Sequence, residues 1–170
     1  MVAVAVLVTG IFILNGLSGG ALGVGLSGGA SVRLIYDNQS FFMVNEGNYT
    51  LEVQKLQFVR GVDDGPDDFS GDRFPRDILP AAACYQITLQ GPQVTPPVQC
   101  QPLSEKRHGY ELLQNARRLH WLNEAEDGSR IATFEVRYDG RVLTRCDTIS
   151  DDDNKECHFT WPVGPADDTE

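Results

Sequence analysis

Alternation of apolar and polar residues predicts short β-strands along most of the chain beyond residue 31. Half-buried strands place an apolar side chain at every second position, and Gly, Asn and Asp concentrate in the turns between them. This pattern predicts strands at residues 32–36, 40–44, 50–59, 83–89, 131–138, 141–146 and 157–161. The alternation slips between Val53 and Leu56, which predicts a bulge or a kink in the third strand. Asp139-Gly140 is a strong signal for a tight hairpin.

Two loops and one ambiguous segment separate these predicted strands. Residues 61–76 form an acidic loop from which Phe69 and Phe74 are expected to insert into the core. Residues 91–102 are rich in proline, which predicts an extended loop. Residues 104–122 combine helical and strand spacings, so both alternatives stay open. Many short strands with turns between them favour a mainly β fold, an immunoglobulin-like β-sandwich.

The chain begins with an uncharged apolar segment. Residues 2–26 contain no Asp, Glu, Lys or Arg and are about long enough to cross a bilayer, which needs roughly 20 apolar residues. We predict one N-terminal transmembrane helix over residues 1–26, followed by a Gly/Ser linker over residues 27–31. A secretory signal cleaved after the small residues 28–30 is one alternative. An anchor whose natural start lies upstream of Met1 is another.

The four cysteines predict two disulfides. An even number of cysteines behind an export-like segment is typical of oxidised, exported domains. The chain has no C-x-x-C motif, which disfavours a zinc ribbon or a thioredoxin-type site. Three connectivities are possible, and the local pairs are favoured because each closes a short loop between predicted strands: Cys84 with Cys100, and Cys146 with Cys157. Four reduced core cysteines are the alternative.

The charge of the chain restricts its partners and its location. The formal net charge is −10, and no charged residue precedes Arg33. The imbalance therefore falls on one predicted domain, residues 32–163, and on an acidic tail, residues 164–170. A surface this acidic repels phosphate backbones, which argues against nucleic-acid binding. It also repels anionic lipid, so membrane attachment rests on residues 2–26. We expect a single-pass membrane protein whose C-terminal domain lies outside the cytoplasm, either periplasmic or extracellular.

Parts of this domain resemble the lamin-tail type of immunoglobulin-like β-sandwich. The resemblance is carried by FFMVNEGNYTLEVQKLQF, residues 41–58, in which a strand, an Asn-containing turn and a leucine-bearing strand follow one another. It continues in FSGDRFPRDILPAAACYQI, residues 69–87, where Ile78-Leu79-Pro80 forms a turn before a strand, and in the hairpin of residues 137–146. The resemblance implies a binding or scaffolding domain and supplies no catalytic residues.

The histidines give little support to catalysis. His108, His120 and His158 are the side chains that could act as bases at neutral pH. None lies in a recognisable nucleophile or metalloprotease motif, so we do not expect an enzyme. His158 stands in the last predicted strand, next to Cys157, and is expected on its polar face.

Calcium is the one cofactor that the sequence makes possible. Asp147, Asp151, Asp153 and Glu156 crowd one predicted turn, and hard cations bind several such oxygens at once. The turn does not match the calcium-binding loop of EF-hands. A solvated acidic loop that keeps the domain soluble is therefore the favoured alternative.

Two sequence matches to the N-glycosylation sequon fall in predicted turns. They are Asn38-Gln39-Ser40 and Asn48-Tyr49-Thr50. A sequon has meaning only in a host that carries out N-glycosylation, and a chance match is the favoured interpretation of both.

A basic island completes the candidate sites. Lys106, Arg107, Arg117 and Arg118 lie close together in an otherwise acidic domain and are the candidate contacts for an acidic partner. The sequence thus predicts a membrane-anchored extracytoplasmic interaction or scaffold module, an accessory subunit that contacts other membrane subunits. A sensor or substrate-recognition domain of a longer membrane enzyme and a calcium-binding secreted domain are the alternatives.

Overall fold

A computed structural model of the protein describes residues 29–60, 69–74, 76–88, 94–100, 105–108, 119–124, 128–150 and 154–162. Within these ranges the chain is mainly β, as the alternation of apolar and polar residues predicts. The strands are β1 (Ser31–Tyr36), β2 (Ser40–Asn45), β3 (Leu51–Glu52), β4 (Leu56–Arg60), β5 (Phe69–Ser70), β6 (Ile78–Leu79), β7 (Cys84–Thr88), β8 (Glu105–His108), β9 (Thr133–Tyr138), β10 (Arg141–Asp147) and β11 (Lys155–Thr160).

The strands form two larger sheets and one short strand pair. The order is β11-β1-β2-β7-β8 in the five-stranded sheet and β10-β9-β4-β5 in the four-stranded sheet, while β3 pairs with β6. The β7–β8 pair is parallel. The predicted hairpin is confirmed, since Arg141 pairs with Tyr138 across the turn. Asp139 and Gly140 in that turn have φ of 49° and 74°, the positive values that a tight two-residue hairpin turn requires.

The two larger sheets share one hydrophobic core. In β9, Phe134 and Val136 are buried while their neighbours are only partly buried, as expected for a strand with one face towards a core. Aromatic rings meet across the two sheets: the ring centroids of Tyr36 and Phe134 lie 5.6 Å apart, and those of Phe41 and Phe58 lie 5.1 Å apart. Burial of these large rings is a main source of the stability of the domain.

Strand β2 is buried on both of its faces. Phe42 and Val44 point away from the shared core and form a second apolar cluster with Cys84 and Cys100. The Cys84–Cys100 disulfide, with 5.3 Å between its Cα atoms, fixes the 3₁₀ turn that ends at Cys100 over this outer face. Residues 94–100 of the predicted proline-rich loop therefore lie over the outer face of the five-stranded sheet.

The second disulfide joins the two sheets. Cys146 lies in β10, an edge strand of the four-stranded sheet, and Cys157 lies in β11, an edge strand of the five-stranded sheet. Their Cα atoms are 5.7 Å apart, a normal separation for a bridged pair. Both local pairings favoured by the sequence are confirmed.

The kink predicted near Val53 separates β3 from β4 and receives part of the acidic loop. Phe69 and Phe74, 4% and 5% exposed, insert into the core as predicted. Between them, Gly71 lies so close to the Val53 carbonyl that a Cβ atom there would stand 1.7 Å from its oxygen. Only glycine fits at this contact, so the kink and the loop depend on each other.

The domain begins earlier than the sequence indicates. Ala30, assigned above to the linker over residues 27–31, is 4% exposed. Its N–H donates to the Tyr49 hydroxyl at 2.7 Å, and its carbonyl accepts from the Trp161 N–H at 2.8 Å. Among the described residues no helix is long and apolar enough to cross a membrane. The predicted anchor over residues 1–26 and the acidic tail over residues 164–170 lie outside the described ranges.

Loss of the Cys146–Cys157 bridge is expected to destabilise the domain. Replacing both cysteines with serine should lower the free energy of unfolding by about 2–4 kcal/mol, because the unfolded chain gains conformational freedom. Chemical denaturation measures the loss, and Val142→Ala in the exposed part of β10 serves as the control. Alkylation of any cysteine in the exported, unreduced protein would contradict the pairing.

Candidate functional site

The candidate calcium ligands do not converge in the described part of the chain. Asp147 is at the end of β10, and its Oδ2 forms an ion pair with Lys155 Nζ at 3.3 Å. Glu156 Oε2 lies 3.5 Å from an Arg33 guanidinium nitrogen. The other two predicted ligands, at positions 151 and 153, lie outside the described residues. Among the described side chains, no group of three or more His, Cys, Asp or Glu is placed to hold a metal ion.

The predicted basic island is only partly described. Lys106 and Arg107 belong to β8, at the edge of the five-stranded sheet, where they pair with Gln86 and Ile87 of β7. The other two residues, Arg117 and Arg118, lie outside the described ranges. The structure therefore places half of the island on a sheet edge and leaves the grouping of all four residues a prediction.

A charged cluster that the sequence analysis did not single out lies on the outer face of the β9–β10 hairpin. Alternation in β9 directs Glu135 and Arg137 away from the core, and Arg145 of β10 pairs with Glu135. Arg145 Nε and Nη2 lie 2.9 and 2.7 Å from Glu135 Oε1. Arg137 Nε and Nη2 lie 2.8 and 2.7 Å from Oε2 of the same carboxylate.

Two arginines on one carboxylate make a fixed and net positive arrangement. The hydrogen bonds from Arg145, and then those from Arg137, hold the pKa of Glu135 below its usual value, so the carboxylate stays charged. The Arg145 side chain remains 67% exposed. Val142, 46% exposed, lies beside this cluster and pairs with Arg137. We call Glu135, Arg137, Val142 and Arg145 the arginine face.

The signal for the arginine face is present in the sequence. In TFEVRYDGRVLTRCD, residues 133–147, charged residues occupy alternate positions of the first strand and face solvent when the hairpin forms. The partner strand is harder to assign, because the pairing shifts between Val142 and Thr144. Only this bulge brings Arg145 opposite Glu135.

A second polar arrangement is buried beneath the sheets. Arg60 at the end of β4 is 3% exposed. Its Nη1 donates to the carbonyl oxygens of Leu119 at 3.0 Å, Leu122 at 2.8 Å and Glu124 at 3.2 Å. A buried charge is tolerated where hydrogen bonds replace its water. Arg60 therefore fixes residues 119–124 against the four-stranded sheet.

His120 lies within this segment and has a structural role. It is 1% exposed, and its ring centroid is 4.8 Å from those of Phe41 and Phe58. Phe69, Trp121 and Phe134 complete the aromatic surroundings. Its Nε2 has no hydrogen-bond partner among the described residues. Burial and then the nearby charge of Arg60 place the pKa of His120 well below 6.5.

The other two histidines lie in β8 and β11, the edge strands of the five-stranded sheet. His158 is exposed on β11, as predicted, and its Nε2 lies 3.5 Å from Glu156 Oε2. His108 ends β8. His120 is enclosed by aromatic rings and is placed for packing in the core, not for contact with a molecule in solvent.

Comparison with known proteins identifies no relative. No protein-family model, no curated protein and no solved structure matches this chain. The case for a function therefore rests on the geometry described above.

Protonation of His120 is expected to make the free energy of unfolding depend on pH. Below pH 6.5 the unfolded chain binds a proton at this ring and the folded domain does not, so the free energy of unfolding falls as the pH falls. For one such group the loss approaches at most about 1.4 kcal/mol for each pH unit below 6.5. Glu135, with its lowered pKa, stabilises the fold at higher pH and loses this effect only below its usual value of 4.5.

Chemical denaturation at pH 7.5 and pH 5.0 tests this role. His120→Phe should remove most of the loss between the two pH values, since a phenyl ring fits the aromatic surroundings and does not titrate. His158→Gln, at the exposed histidine, is the matched control and should keep the wild-type loss. A His120→Phe variant with the full wild-type pH dependence would show that another group is responsible.

Proposed function

We propose that this chain is a membrane-anchored, extracytoplasmic interaction module. In this proposal the described domain is an immunoglobulin-like β-sandwich of the lamin-tail type, and its arginine face binds an acidic segment of a protein partner. Three observations support it: two disulfides, an uncharged apolar N-terminal segment that ends close in sequence to the first described residue, and the clamped charges on the outer face of β9 and β10.

The disulfides support a location outside the cytoplasm. Cys84–Cys100 and Cys146–Cys157 together use all four cysteines of the chain. Structural disulfides persist in oxidising compartments and are rare in the cytosol. The net charge of −10 suits an aqueous space and disfavours direct contact of the domain with anionic lipid.

The position of the first described residue supports a short tether. Residues 2–26 carry no charged side chain, and Gly29, where the described part of the chain starts, already packs against the Trp161 carbonyl. An anchor that ends at residue 26 leaves residues 27 and 28 as the spacer, which reach at most about 7 Å. The domain would therefore be held at the membrane surface, where neighbouring membrane proteins are its nearest partners.

The proposal of an acidic partner rests on the guanidinium group of Arg145, which Glu135 holds in a fixed position. Glu135 fixes the Arg145 Nε–Nη2 edge, while 67% of the side chain stays exposed. A pre-ordered arginine loses little conformational freedom on binding, and arginine is enriched among residues that dominate interface energies. With Arg137 beside it, the face carries one net positive charge on an acidic domain. An acidic segment is the complementary partner.

Membrane attachment can be tested with two forms of the chain. The full chain should stay in the membrane fraction after a carbonate wash, because residues 2–26 hold it in the bilayer. A truncated chain that begins at Gly29 should be soluble and folded. A start at Ser31 should lower the melting temperature, since it removes the two hydrogen bonds of Ala30. If expression of the full chain instead gives a soluble protein whose N-terminus lies near Ser31, the segment is a cleaved signal.

Binding at the arginine face can be tested by photo-crosslinking in native membranes. A benzophenone amino acid at Val142 should yield a discrete adduct with one protein, attached within an acidic segment. The same amino acid at Val98, which is 81% exposed on the segment that covers the other sheet, is the position control.

Charge reversal tests whether the arginines select this partner. Arg145→Glu should reduce the Val142 adduct about tenfold or more, as expected for loss of a dominant interface residue. Arg141→Glu makes the same charge change at an exposed residue that pairs with the inward-facing Tyr138, and should leave the adduct. Equal adducts in both variants, or an adduct within a basic segment, would contradict the proposal.

A further inference from the structure

The two sequons of this chain lie in very different surroundings. Asn48 is exposed in the turn between β2 and β3. Asn38 is partly buried in the turn between β1 and β2. A glycan is large and must point into solvent, so the fold distinguishes between two sites that the sequence treats as equal.

The turn that carries Asn48 is held by another side chain. Asn45, with 0% exposure, donates from Nδ2 to the Tyr49 and Pro80 carbonyl oxygens, each at 2.8 Å. Asn45 Oδ1 accepts from the Gly47 N–H at 2.9 Å. The described residues provide no hydrogen bond to the Asn48 amide. Asn48 can therefore be modified without loss of any contact that shapes the turn.

The Asn38 sequon is part of the packed structure. The Trp121 indole N–H donates to the Asp37 carbonyl at 2.7 Å, so this turn is closed against the core. The Ser40 hydroxyl of the same sequon has 0% exposure and accepts from Gln86 Nε2 at 3.1 Å. A glycan on Asn38 would crowd this packed turn.

We propose that Asn48 is an N-glycosylation site and that Asn38 is not. The co-reactant is an oligosaccharide linked to a lipid diphosphate. The Asn48 Nδ2 forms a bond to the anomeric carbon of the first sugar, and the bond from that carbon to the diphosphate oxygen breaks. The diphosphate leaves with the electron pair and takes up the proton lost from the amide. No oxidation or reduction is involved.

The glycan would lie beside the point where the chain enters the domain. Gly47 packs against Ala30, since a Cβ atom at Gly47 would stand 2.3 Å from the Ala30 Cβ. The Tyr49 hydroxyl accepts from the Ala30 N–H. Because the proposed anchor precedes Ala30, the glycan would cover the membrane-proximal end of the domain. This placement rests on the extracytoplasmic location proposed above.

Glycopeptide mass spectrometry of the full chain, isolated from the cells that encode it, tests the site. The peptide with Asn48 should carry a hexose-containing mass, and the peptide with Asn38 should not. Asn48→Gln and Thr50→Ala should each abolish the modification, whereas Thr50→Ser should restore it, because serine preserves the sequon. Recovery with serine separates recognition of the sequon from damage to the turn.

Three results would overturn the proposal. The first is an unmodified Asn48 in protein whose cysteines are oxidised, which leaves the extracytoplasmic location intact. The second is a glycan on Asn38. The third is an unmodified chain with four reduced cysteines, which would also contradict the proposed location. Non-reducing mass analysis of the same sample distinguishes the first result from the third.

Discussion

The Phe41 ring packs against aromatic side chains from both sheets and from the segment that Arg60 holds. Its centroid lies 5.1 Å from that of Phe58, 4.8 Å from that of His120 and 5.2 Å from that of Trp121. The sheets can close only when residues 119–124 are in place, because His120 and Trp121 fill the space next to this ring. The outer clusters described above, including the arginine face, therefore depend on a core formed by residues far apart in the sequence.

Much of the strand pattern could be predicted because it is local. The alternation in β1 and β9 and the Asp139-Gly140 turn follow from the period of a strand and from the φ values of a hairpin turn. The strands β5 and β6 could not be predicted, since two residues are too few to show an alternation of apolar and polar positions. The parallel pairing of β8 with β7 could not be predicted for a different reason. The two strands are joined by a long connection, and no turn motif in the sequence indicates that they pair.

The candidate site was less predictable than the fold. Runs of charge in the sequence drew attention to Asp147 and to Lys106, but a run shows proximity along the chain and not convergence in space. The clamp of Glu135 by two arginines depends on the register of β9 and β10, which a bulge shifts by one residue. The surroundings of Arg60 and His120 were likewise inaccessible to sequence reasoning, because they come from four separate strands and one loop.

The Cys146–Cys157 bridge links the two sheets covalently along one edge of the domain. It joins β10 to β11, the strands at one edge of each sheet, whereas β5 and β8 lie at the opposite edges. No disulfide joins β5 to β8. Separation of the sheets would therefore begin at the β5–β8 side and rotate about the bridged side as a hinge. We therefore expect amide protons of β5 and β8 to exchange at a lower free energy of opening than those of β10 and β11, which the bridge holds together.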